Sequence, residues 1–218
     1  MRQIFIIVRN KKLLLKIQAN EAILNIKNSE LENLNKKVLH DAQIDFLTQL
    51  YNRRFMDAVF EEFKSNDNNQ NIFGILLIDV DLFKHINDKY GHQIGDKVLQ
   101  LVANCIKSVT RDNDIAGRFG GDEFIVFLQE TTSDSLHRIA ERLIENVRND
   151  AYLSELHVTL SIGGACHTID PKDNRFEKLL KAADDALYKA KDEGRDRAVV
   201  RDFSALTNNA GELTSSPA

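Results

Sequence analysis

Only two prolines and two cysteines occur in this chain of 218 residues, and no apolar run is long enough to cross a bilayer. The scarcity of proline, with 43% apolar residues, excludes a disordered chain and fits a globular fold with a substantial core. Cys105 and Cys166 lie far apart without metal-ligand spacing, which argues against a disulfide framework and for buried thiols in a reducing compartment, the cytoplasm. Charge of one sign is also lacking. With a net charge of −4 and a pI near 5.9, nothing global draws the chain to nucleic acid or acidic membrane, so any polyanion must be met by a local site. The short run Ile4–Val8 is followed by Arg9, Lys11 and Lys12. It reads either as the remnant of a membrane or sensory segment upstream in a longer protein or as an apolar helix start.

Between Lys11 and Asp45 there is no proline or glycine, and Ile17, Leu24, Leu31 and Val38 recur every seven residues. With those as a positions, the d positions are Leu13, Asn20, Lys27, Leu34 and Asp41, so the seam is polar in its middle. Two readings stay open: a helix packed on its own domain, or a dimerising parallel coiled coil over residues 1–40. Residues 41–203 read as one domain and 204–218 as a polar, disordered tail.

Within that domain a polar loop, Ser65–Asn71, precedes the apolar run 72–83, the signature of a central strand covered on both faces. A helix is predicted over Gly95–Val109, with Val98, Leu99, Val102, Ile106 and Val109 on one face. The runs Ile115–Phe119 and Phe124–Leu128, separated by glycines, predict a β-hairpin. A helix over Ser133–Val147, a strand over 157–165, a helix over 176–191 ending at Gly194 and a short strand over 198–200 complete the chain. The order β-α-β-β-α-β, then α-β, is a split βαβ arrangement: an α+β fold with helices packed on a sheet.

Asp79 and Asp81 end the first strand, and the period of two puts both on one face. Such a pair is either a solvated strand end or one side of a cation site. The hairpin tip, Gly120-Gly121-Asp122-Glu123, permits close approach of a ligand, and Asp122 and Glu123 project to opposite faces of the strand they begin. If the hairpin pairs with the first strand, one of these acids reaches Asp79, and three carboxylates converge on a site suited to Mg²⁺, or to two ions. Lys84 follows the acidic strand end directly, and Lys191 and Arg195, four apart at a helix end, can face one way to meet phosphates. Taken singly, each of these cations reads as a solvated helix-end charge.

These stretches carry a resemblance. "LIDVDLFKHINDKYGHQIGDKVL" (77–99) and "GRFGGDEF" (117–124), with "DFLTQLYNRR" (45–54), "TLSIGGA" (159–165) and "ALYKAKDEGRDR" (186–197), are similar to the motifs of GGDEF diguanylate cyclases over about Asp41–Asp202. The resemblance implies a nucleotidyl cyclase or polymerase palm-like βαββαβ core with a mainly antiparallel sheet. It also implies condensation of two GTP into cyclic di-GMP, with Mg²⁺ or else Mn²⁺, in a homodimer of a bacterial signalling enzyme. By position, Asp79, Asp122 and the Val80 carbonyl would hold the metal. Asp122 would be the catalytic carboxylate that helps deprotonate the attacking 3′-hydroxyl, with Glu123 as a metal or hydroxyl contact. Asn87 and Asp96 would read the guanine edge. Lys84, Lys191 and Arg195 would hold phosphates. Arg111 and Asp114, as R-x-x-D, match the family's inhibitory product site, to which Arg142 could add a second arginine from a neighbouring subunit. Two positions depart from the family pattern: Asp196, where asparagine is usual, and Gly164, where a larger apolar residue is. The alternative is a catalytically silent receptor for cyclic di-GMP or GTP, or an interaction module built on the coiled coil.

Overall fold

The computed structural model describes residues 42–65, 72–168 and 175–202, and toward the N-terminus residues 16, 20, 21, 23–31 and 34. The chain divides into two compact units, Met1–Gln43 and Ile44–Ala218. In the first, residues 23–31 form helix α1, and the described positions 16, 20, 21 and 34 are helical as well. The remainder of the expected N-terminal helix, most of the expected loop at 65–71 and the expected tail lie outside the described residues.

The second unit runs α2 (Arg53–Ser65), β1 (Ile72–Val80), α3 (Phe83–Tyr90), α4 (His92–Val109), β2 (Ile115–Arg118), β3 (Glu123–Gln129), α5 (Ser133–Asn149), α6 (Ala151–Glu155), β4 (Leu160–Thr168), α7 (Arg175–Asp192) and β5 (Arg197–Asp202). One sheet of order β2-β3-β1-β4-β5 results. All neighbours are antiparallel except β4 and β5, which are parallel. The central place of β1 explains its unbroken apolar run, because both of its faces are covered. Leu76, Ile78, Phe124, Val126 and Leu128 pack under Val98, Leu99, Val102 and Ile106 of α4 and Leu136 and Leu143 of α5. On the opposite face Ile75, Ile125 and Phe127 meet Met56 and Phe60 of α2 and Leu179 and Ala183 of α7. Phe124 and Phe127 are 1% and 0% exposed, and burial of one such ring stabilises the fold by about 1.5–3 kcal/mol. In β4, a methyl group on Gly163 would strike the Ala183 carbonyl and the Leu187 backbone, so the glycine lets α7 lie directly on the sheet.

Three helices go beyond the expectation. The α2 signal, Met56, Val59, Phe60 and Phe63 at helical spacing, is present in the sequence. By contrast, α3 buries only Ile86, and α6 is a single short turn capped by Asp150, so neither has an apolar stripe to read. Strand β4 begins at Leu160 rather than 157, because His157 takes a left-handed conformation (φ 57°) in the turn after α6.

Candidate active site

The site is assembled at the C-terminal end of β1. Register pairs Asp79 with Glu123 of β3 on one side and with Ser161 of β4 on the other. The amides of Phe119 and Gly120 both donate to the Glu123 carbonyl, at 2.8 and 3.2 Å, and close the tip of the hairpin. The Val80 amide donates to the Asp122 carbonyl at 3.1 Å, which docks the signature turn against the end of β1. Asp122 itself lies in the turn, one residue before β3, rather than beginning the strand. Gly120 and Gly121 both avoid the left-handed region, so conformational freedom is not their role here. A side chain on Gly121 would meet nothing within 4 Å, whereas one on Gly120 would strike the Glu123 carboxylate.

Asp79 is strained electrostatically. Burial pushes its carboxyl above the ordinary 3.8, the charges of Asp122 and Asp81 push further the same way, and a hydrogen bond and charge from Lys191 oppose them. The Lys191 ammonium lies 2.7 Å from the Asp79 carboxylate, whose side chain is 13% exposed. Paired carboxylates whose charge Lys191 only partly offsets, beside a strand-end backbone carbonyl at Val80, form an oxygen-donor set that fits a hard dication such as Mg²⁺.

The expected convergence of three carboxylates does not occur. Strand β1 stops at Val80, Leu82 turns left-handed (φ 54°), and Asp81 rotates into the interior at 5% exposure. There it accepts hydrogen bonds from the Ser161 hydroxyl (2.6 Å), the Thr159 hydroxyl (2.7 Å) and the Asp196 amide (3.1 Å). Among the described residues no three His, Cys, Asp or Glu side chains meet at a common point. The spacing of Asp79 and Asp81 is that of a strand, but the strand ends between them.

Lys191 and Arg195 do approach the acids, by another route than a shared helix face. Helix α7 ends at Asp192, Gly194 (φ 112°) terminates it, and Arg195 (φ 64°) lies in the turn beyond. From there its guanidinium is 4.0 Å from Asp81. Lys84 is exposed on α3. Asn87 on the same helix sits over Gly95 of α4 so closely that a methyl group at 95 would collide with its amide oxygen; Asp96, exposed, follows directly. Gly95 is a packing position that sequence reading missed, since a helical glycine looks like a weakness until the packed Asn87 amide is seen.

On the opposite flank, the Asp114 carboxylate accepts from the Arg111 amide at 2.8 Å and the Arg111 carbonyl accepts from the Asp114 amide at 3.0 Å, closing the R-x-x-D turn. Arg142 donates to the Val109 carbonyl at 2.9 Å. Arg111 and Arg142 of one chain line the same open cleft of about 730 Å³.

A second missed element is the strap behind the signature turn. Arg118 donates to the Gly121 carbonyl through Nε (3.3 Å) and Nη2 (2.7 Å), and its Nη1 reaches Asp45 at 3.4 Å. Burial alone would raise the Asp45 carboxyl, but hydrogen bonds from Thr48 and the charge and hydrogen bond of Arg118 hold it below the ordinary 3.8.

Residues 42–197 match the family described as diguanylate cyclase, GGDEF domain. The chain belongs to the GGDEF diguanylate cyclase family. It is similar to diguanylate cyclase A of Treponema denticola, 35% identical over 173 residues that make up 76% of this chain and 46% of that protein. The GGDEF chain therefore spans less than half of that relative's length. Among solved structures it is similar to diguanylate cyclase SiaD of Pseudomonas aeruginosa, in complex with its activator SiaC: TM-score 0.72, 29% identity, 92% of this chain and 77% of that one. It is also similar to the coiled coil and GGDEF domain of DgcB of Caulobacter crescentus, in complex with c-di-GMP: TM-score 0.67, 28% identity, 83% of this chain and 98% of that one. These neighbours share the α+β fold, and no helix among the described residues is long and apolar enough to cross a membrane.

Proposed function

We propose that this GGDEF chain synthesises cyclic di-GMP from two GTP. Two copies face each other, each holding one nucleotide, and each ribose 3′-hydroxyl attacks the α-phosphate of the other, forming two phosphodiester bonds and releasing two pyrophosphates. The observation that carries the reading is the Asp79–Asp122 corner, where the like charges of two partly buried carboxylates are only partly offset by Lys191. Mg²⁺, held by Asp79, Asp122 and the Val80 carbonyl, would neutralise phosphate charge. Asp122 takes the proton of the attacking hydroxyl, with Glu123 as the second acid of the turn. Lys84, Lys191 and Arg195 hold phosphates. The Asn87 amide and Asp96 carboxylate offer the mixed donors and acceptors that a guanine edge requires. Incubating the purified protein with GTP and Mg²⁺ should yield cyclic di-GMP, and Asp122→Ala should abolish it while circular dichroism stays unchanged. Synthesis retained by that variant would refute the role.

Reaction between two half-sites requires a dimer, and α1 offers a surface for one. Leu24, Leu31 and Leu34 on the heptad seam, with Ile23 and Ile26 beside it, are each more than half exposed in the single chain. Deleting residues 1–40 should therefore lower turnover steeply at low protein concentration; equal turnover would dispose of the seam. The cleft holding Arg111 and Arg142 is the candidate for product feedback, since two guanidiniums suit phosphate oxygens. Arg111→Ala should flatten the inhibition curve for added cyclic di-GMP, and an unchanged curve would remove the site.

A further inference from the structure

The turn after α7 is fastened at two points that the cyclase chemistry does not call on. Helix α7 closes with a Schellman arrangement: the Arg195 amide donates to the Ala190 carbonyl at 3.0 Å and the Gly194 amide to the Lys191 carbonyl at 3.4 Å. After this the chain takes two successive left-handed residues that are not glycine, Arg195 (φ 64°) and Asp196 (φ 50°), which an isolated peptide would avoid. Something outside the turn must hold it.

The inner fastening is Asp81. Buried at 5% exposure, it presents one carboxylate oxygen to the Ser161 hydroxyl and the other to the Thr159 hydroxyl and the Asp196 amide. That last bond ties the turn to the chain only two residues after Asp79. The outer fastening is Arg148, near the end of α5, which grips Asp196 through Nε to both carboxylate oxygens (3.1 Å each) and through Nη2 to one of them (2.8 Å) and to the backbone carbonyl (2.9 Å). Such a fork is available to arginine alone and requires a carboxylate at position 196. The pairing also neutralises a negative charge that would otherwise lie next to Arg195.

We infer that Asp81 and Arg148 are positioning residues: they clamp the turn at Asp196 from inside and outside, and so hold Arg195, and the α7 end that carries Lys191, where the phosphates of the nucleotide arrive. The assignment of phosphates to Lys191 and Arg195 rests on the cyclase reading; the clamp itself does not. Asp81 thus serves the reaction without touching a metal or a substrate, and its spacing from Asp79 reflects mechanical coupling between the acid and the cations.

The test uses the full chain with Arg148→Ala, Arg148→Lys and Asp81→Asn. Arg148 is at the surface, so its variants should fold; Asp81→Asn keeps the shape but cannot accept all three bonds. In hydrogen exchange, peptides spanning residues 193–197 should exchange faster in Arg148→Ala and Asp81→Asn, with the rest of the sheet unchanged. In GTP turnover, Arg148→Ala should raise KM about fivefold with kcat within twofold, and Arg148→Lys, which restores charge without the fork, should fall between. Unaltered exchange at 193–197 in Arg148→Ala, or a fall in kcat at constant KM, overturns the inference. A wild-type protein that neither binds a fluorescent GTP analogue nor makes cyclic di-GMP overturns the cyclase reading instead, and the exchange experiment then decides the clamp by itself.

Discussion

The signature turn is held between two aspartates of opposite character. In front of it, Asp79 is pushed up by burial and by the neighbouring charges of Asp122 and Asp81, which Lys191 only partly offsets. Behind it, Asp45 is held down, against its burial, by Thr48 and by Arg118, the residue that also grips the turn at Gly121. The two carboxylates differ in what surrounds them, not in kind. A carboxylate whose charge is fully answered by its own chain is part of the scaffold, whereas one whose charge is left partly unanswered is prepared for something that arrives from outside.

This contrast predicts that damage in front of the turn and behind it separates cleanly. The largest effect is expected from Asp79→Asn: cyclic di-GMP synthesis should fall about 10²- to 10³-fold. The melting temperature measured in EDTA should nevertheless be equal to or above that of the wild type, because the substitution removes a partly buried charge the fold tolerates at a cost, and Lys191 can turn to water. Added Mg²⁺ should no longer raise it. A melting temperature several degrees lower would show that Asp79 is scaffold after all.

Arg118→Ala should do the reverse. Loss of the hydrogen bonds to Gly121 and the ion pair to Asp45 is expected to cost about 1–2 kcal/mol of stability, read by urea unfolding, with a milder loss of turnover as the turn loosens. The smallest signal is the pH dependence of this difference. Asp45 titrates below its unfolded value, so its contribution to stability is complete above pH 3.8 and disappears as pH falls through the lower folded value. The gap between wild type and Arg118→Ala should therefore narrow below that window to what the Gly121 hydrogen bonds contribute, and a gap that stayed constant with pH would detach Asp45 from the strap.

Much of this arrangement is legible in the order of the residues. The strand that carries Asp79 near its end, the hairpin that brings Asp122 back to it and the helix stop at Gly194 each follow from local pattern: an apolar run, a glycine pair, a residue that takes φ of 112° without strain. Lys84 is singled out by its place directly after the strand end, whereas Asn87 and Asp96 become candidates only through the resemblance to the family's motif. Local pattern fails where a residue's meaning depends on a distant neighbour. Asp81 keeps the strand period with Asp79 but belongs with Ser161, Thr159 and Asp196, about 80 to 115 positions away. Gly95 becomes intelligible only beside Asn87, and Arg118 only when Asp45 and Gly121 lie on either side of its guanidinium.

The order of elements, the covered central strand and the identity of the acids are written in the residues, because hydrophobic period and backbone preference act over a few positions at a time. Which of those acids is satisfied and which is left exposed to its neighbours' charge is not a local property. It depends on the 2.7 Å that separates Asp79 from Lys191, on the charge of Asp122 nearby, and on desolvation by strands and helices drawn from across the chain. Only the packed structure sets those distances.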